Sequence, residues 1–99
     1  GTFAVHGNVS TKAFAVEAQS DSLSLGGILP GDILVCEPES VLPQKTGALI
    51  AYLLDEEICV AKFFPPYLMP QSSNPMHEPV AANDVEIIGT VVNQVRDLR

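Results

Sequence analysis

Few side chains in this sequence are placed to do covalent or metal chemistry. The most suggestive stretch runs from Ser20 to Asp32, Ser-Asp-Ser-Leu-Ser-Leu-Gly-Gly-Ile-Leu-Pro-Gly-Asp, with Ser22 at its polar start. A serine there has two uses: a nucleophile, if a base activates it, or a hydroxyl that holds a turn by bonding nearby backbone. Those uses separate a peptidase from a binding module. The histidines, His6 and His77, have no carboxylate or thiol at ligand spacing, so no metal is assigned. Cys36 and Cys59 each lie inside an apolar run, as buried free thiols do in a reducing compartment. Asp55-Glu56-Glu57 could attract a cation, but consecutive carboxylates diverge, and a solvated hairpin tip explains them better.

The elements that must position these groups read as strands. Ala13 to Ala18 alternates, with Phe14, Val16 and Ala18 on one side, and runs into a loop from Gln19 to Ser24. Ser22 or Ser24 would cap one helical turn that Gly26-Gly27 stops. Pro30-Gly31 signals a turn before a buried strand over Asp32 to Cys36. Gly47 to Leu54 is a nearly all-apolar strand, and Ile58 to Phe64 returns from the acidic tip until Pro65-Pro66 stops it. The proline-rich segment from Tyr67 to Ala82 is mostly irregular, with a short strand at Tyr67 to Met69. Val85 to Leu98 is the last strand, with Gly89 marking a bulge or a close backbone approach. Residues 1–12 read as linker or edge strand.

Length and composition narrow the function. Ninety-nine residues make one domain, and 46% hydrophobic with 17% charged residues excludes disorder. A net charge of −7 repels phosphate, so this domain is not expected to touch DNA itself. No run reaches the ~20 apolar residues of a membrane span, no signal peptide opens the chain, and a cytoplasmic location is expected. The absence of Met at position 1 suggests a piece of a longer protein.

Taken in order, these pieces resemble the C-terminal domain of temperate-phage repressors and of the bacterial SOS repressor, a family that includes self-cleaving Ser/Lys peptidases. Ser20-Asp21-Ser22-Leu23 stands where that family has Gly-Asp/Asn-Ser-Met, and Ile28-Leu29-Pro30-Gly31-Asp32 matches its Ile-x-x-Gly-Asp. Gly47 fits the glycine that opens the next strand. Leu68-x-Pro70 and Asn74-x-x-His77-x-Pro79 resemble Leu-x-Pro-x-Asn-x-x-Tyr-x-Pro with a small insertion, and Ile88-Gly89-Thr90-Val91 resembles the closing Ile-x-Gly-x-Val. The resemblance covers about Ala13 to Leu98 and implies an all-β fold: a small, multi-stranded, partly open β-barrel or sandwich.

For Ser22 the resemblance implies a nucleophile whose proton goes to a buried, neutral lysine on the strand after the hairpin. Aligned on Glu57-Ile58-Cys59-Val60, that lysine position is Ala61, and Lys62 falls on the family's second, non-catalytic basic residue. Side chains alternate across a strand, so Lys62 is expected to point away from the face of Ala61 unless a bulge intervenes. Its plainer reading is a snorkelling lysine beside Phe63 and Phe64. Two further departures are the absence of any Ala-Gly or Cys-Gly dipeptide, where such proteins cut themselves, and Ser20 in place of the glycine before the nucleophile.

The expectation is therefore an oligomerisation domain of a phage transcriptional repressor, with Ser22 a vestige and no cofactor or metal. The apolar excess of the last strand points to an interface at Val85, Ile87, Ile88, Val91, Val92 and Val95. Partners would be further copies of the chain, DNA through an N-terminal domain outside this sequence, and an antirepressor or host protein. The alternative is an active self-cleaving peptidase using Ser22 and Lys62.

Overall fold

The computed structural model describes residues 9–96. Most of the 1–12 segment, His6 and the last residues of the closing run lie outside them. The described residues form seven strands: β1 (Phe14–Glu17), β2 (Ile33–Glu37), β3 (Leu49–Leu54), β4 (Glu57–Phe64), β5 (Tyr67–Met69), β6 (Val80–Ala81) and β7 (Glu86–Val95). They build a single antiparallel sheet in the order β1-β2-β7-β3-β4-β5-β6, so the fold is all-β, as the resemblance implied. Short 3-10 turns occupy Ser24–Gly26 and Ala82–Asp84. The two-residue strand β6 lies inside the stretch read from the sequence as irregular, because two residues carry no usable periodicity.

Local chemistry sets the turns. Pro30 and Gly31, the latter at φ 95°, form a turn closed by the Asp32 N–H on the Leu29 carbonyl at 3.1 Å. That is the Pro then left-handed Gly pattern of a type II turn. The β3–β4 hairpin turns on Asp55 and Glu56 alone, at φ 50° and 65°, while Glu57 already belongs to β4. Two left-handed residues match the right-handed twist of the flanking strands.

Strand β7, between β2 and β3, is the spine of the sheet, and it carries two irregularities. Its register shifts against β3 around Ile88 and against β2 around Val92. At Gly89 a Cβ would meet the Glu37 carbonyl oxygen at 2.6 Å, so the glycine marks both a close approach and the neighbourhood of a bulge.

Side chains divide into two cores. One, with Ala18, Leu23, Ile28, Leu34, Cys36, Ala51 and Val60, is lined by β1, β2, β3, β4 and the Ser22 loop. The other, with Ile50, Tyr52, Cys59, Ala61 and Leu68, occupies the opposite face of β3 and β4. The first is enclosed because the chain leaving β1 crosses to β4, where the Gln19 N–H meets the Ile58 carbonyl at 3.1 Å. The sheet thus curls without strand-to-strand closure.

Candidate functional site

The edge of β4 explains the geometry of the site. Strand β5 pairs with Lys62, Phe63 and Phe64 only, which leaves the earlier half of β4 without a paired strand on that side among the described residues. Alternate residues of a strand turn their N–H and C=O to the same side, so Ile58 and Val60 need partners there. Gln19 serves Ile58, its amide N–H bonding the carbonyl and its Oε1 accepting the Ile58 N–H at 2.8 Å. Ser22 serves Val60: its hydroxyl donates to the Val60 carbonyl at 2.8 Å and accepts the Val60 N–H at 3.0 Å. Ser22 is 1% exposed.

The rest of Ser22 is equally engaged. Its N–H donates to Ser20 Oγ at 3.1 Å, and its carbonyl accepts the Gln71 N–H at 2.8 Å. Ser20 fits here without a left-handed backbone, and its hydroxyl tightens the turn. The expected serine N-cap is not formed: Leu23 takes the cap position with no side-chain bond, because the Ser22 hydroxyl is spent on β4. Gly27 closes the turn at φ 95° as anticipated.

Ala61 and Lys62 fall on opposite faces of β4. Ala61 is fully buried with Cys59 in the second core, while Val60, and hence Lys62 by alternation, belongs to the other face. The register from Glu57 to Lys62 against β3 runs without a shift, so no bulge rotates Lys62 toward the face of Ala61. The Cys59 thiol lies beside the Ser20 and Ser22 hydroxyls, and burial, the dominant influence, pushes its pKa up. Cys36, also free and buried, is pushed up to about 11 by burial. Both thiols are held in their unreactive, protonated form.

His77 has a partner that sequence spacing did not disclose. Its Nε2 bonds Asp21 Oδ1, the carboxylate next to Ser22, from 56 positions away. That pair, with lesser help from Asn74, lowers the Asp21 pKa. Among the described residues no group of three His, Cys, Asp or Glu could hold a metal ion.

A second polar cluster closes the loop from below. Asp32, almost fully buried, accepts from Arg96 Nε at 2.9 Å, Gln94 Nε2 at 2.8 Å and the Leu29 N–H at 2.9 Å. The Arg96 guanidinium beside Asp32 is the main reason its carboxyl titrates below the usual range. Sequence reasoning placed Asp32 as a strand opener and as the end of the Ile-x-x-Gly-Asp motif, without these partners.

Of the apolar residues singled out on the last strand, Val85 and Ile87 pack on the second core, and Ile88 and Val91 on the first. Val92, at the bulge, is 40% exposed, and Val95 is half-buried opposite Ile33. No helix among the described residues is long and apolar enough to cross a membrane.

Comparison with known proteins adds a family. The profile described as Peptidase S24-like matches residues 2–92. The chain is 36% identical over 86 residues to the LexA repressor of Clostridium tetani, covering 84% of this chain and 42% of that protein. It is 31% identical over 96 residues to the LexA repressor of Pelotomaculum thermopropionicum, covering 95% and 46%. It is 30% identical over 86 residues to the LexA repressor of Caldicellulosiruptor saccharolyticus, covering 85% and 42%. The chain thus spans less than half the length of these curated relatives.

Proposed function

Since the chain belongs to the Peptidase S24-like family, we propose that it is the self-associating domain of a phage transcriptional repressor, with its Ser/Lys peptidase site out of use. The observation that carries the second half is at Ser22. Its hydroxyl is bound in both directions by the Val60 backbone, and the residue on the face where the resemblance puts the lysine is Ala61. A serine engaged in this way, with alanine where the resemblance expects the lysine, supports a structural use of the hydroxyl, since nucleophilic catalysis needs a base within hydrogen-bond reach.

The assembly role is supported by the relatives, which are repressors, and by the charge. A net charge of −7 adds no general phosphate affinity, so DNA contact is left to an N-terminal domain and this module supplies the link between copies. Linking two DNA-binding heads raises the effective concentration of the second at a neighbouring half-site. The exposed Val92 at the bulge of the last strand, with half-buried Val95 beyond it, is the proposed contact; an antirepressor or host protein would compete for it.

Sedimentation of this domain across micromolar concentrations tests the assembly role. A dimer or larger species is expected, and a strict monomer would overturn it.

A further inference from the structure

The segment 70–79 bridges β5 and β6 and lies across the Ser22 loop as a strap. Its near end is fastened by backbone. The Gln71 N–H donates to the Ser22 carbonyl at 2.8 Å, the Gln71 carbonyl accepts the Leu25 N–H at 2.9 Å, and the Ser24 and Ser72 hydroxyls meet at 3.3 Å. Its far half is held differently. Ser72 Oγ accepts the Asn74 N–H at 3.0 Å, Asn74 Oδ1 accepts the Met76 N–H at 3.0 Å, and the Asn74 carbonyl accepts the His77 N–H at 3.2 Å. These bonds make a self-contained turn that needs nothing from the body of the domain. Met76 at its tip is 83% exposed, so apolar burial does not pin the turn there.

Among the described residues, the side-chain hydrogen bond that joins this far half to the body is the one between the His77 ring and Asp21. We propose that the Asp21–His77 pair is a clasp that keeps the strap shut over the Ser22 loop. Opening it leaves the near end alone to cover Ser22 and the β4 edge behind it. A pair of this kind is weak enough to open often, which suits a latch and not a permanent staple. The clasp operates whether or not Ser22 ever reacts.

Amide hydrogen exchange on Asp21→Asn and on His77→Phe tests it. Exchange at Leu25 and Gln71 should quicken roughly two- to fivefold, the scale of a surface pair. Exchange at Leu34 and Tyr52, deep in β2 and β3, should not change. The exchanged double variant, Asp21→His with His77→Asp, should restore strap protection, which a role in packing alone would not allow. Unchanged exchange at Gln71 in the single variants, an increase spread equally to Leu34 and Tyr52, or no rescue by the exchange would each overturn the clasp.

Discussion

The hydroxyl of Ser22 stands in for a missing strand, closing both hydrogen bonds that the Val60 backbone would otherwise leave open at the edge of β4. A side chain with one donor and two acceptor sites can satisfy an N–H and a C=O together. That use alone accounts for a serine at this position.

Removal of that hydroxyl has a defined cost. In Ser22→Ala the Val60 N–H and C=O are stranded in a buried site, and each unsatisfied backbone group costs on the order of 1–3 kcal/mol. Urea denaturation should show a loss of about 2–4 kcal/mol relative to the parent. A loss below about 0.5 kcal/mol would mean that water or a shifted loop replaces the hydroxyl readily.

The β3–β4 hairpin offers a gain. Glu56 sits at φ 65°, a left-handed conformation that costs an ordinary L-residue ~1–2 kcal/mol and glycine almost nothing. Glu56→Gly, giving the Asp-Gly pair such turns prefer, should stabilise the domain by about 1 kcal/mol and raise the midpoint of thermal unfolding by roughly 4–8 °C.

Buried Thr90 offers another. Its Oγ1 has no hydrogen-bond partner among the described residues although it is shielded from solvent. Thr90→Val keeps the shape and removes the stranded hydroxyl, so chemical denaturation should show a gain of roughly 1 kcal/mol.

Acid sensitivity should trace to Asp32. Its folded pKa is lowered, chiefly by the Arg96 guanidinium, so its contribution is fully present above the unfolded carboxylate value near 4. The contribution is lost as pH falls through the lower, folded value. Asp32→Asn should therefore be less stable than the parent at pH 7, by about 1–2 kcal/mol for weakened bonds to a half-exposed guanidinium. Denaturation midpoints of the two proteins should converge below about pH 4.

Much of this architecture was legible in the residues. The alternation at Phe14, Val16 and Ala18, the apolar run ending at Leu54 and the Pro30-Gly31 turn each dictate an element by local sterics and burial, and each element forms within two residues of its expected bounds. Gly89 was also readable, since a glycine inside a strand marks a place where backbone comes close. What the residues did not disclose were the long-range side-chain bonds. Asp21 with His77 and Asp32 with Arg96 join positions more than fifty apart, and nothing in local spacing encodes which loop crosses which. The role of Ser22 was hidden for the same reason. Its partner is a main-chain group 38 positions away, exposed only because β5 ends early.

The claim that Ser22 is a structural hydroxyl without a base is tested most directly by self-cleavage. A longer chain containing this domain is held at about pH 10, where an ordinary lysine begins to lose its proton, and the products are separated by mass. The chain should remain whole and match its Ser22→Ala counterpart. Two fragments from the parent, absent from Ser22→Ala and from Lys62→Ala, would contradict the account and place Lys62 within reach of Ser22.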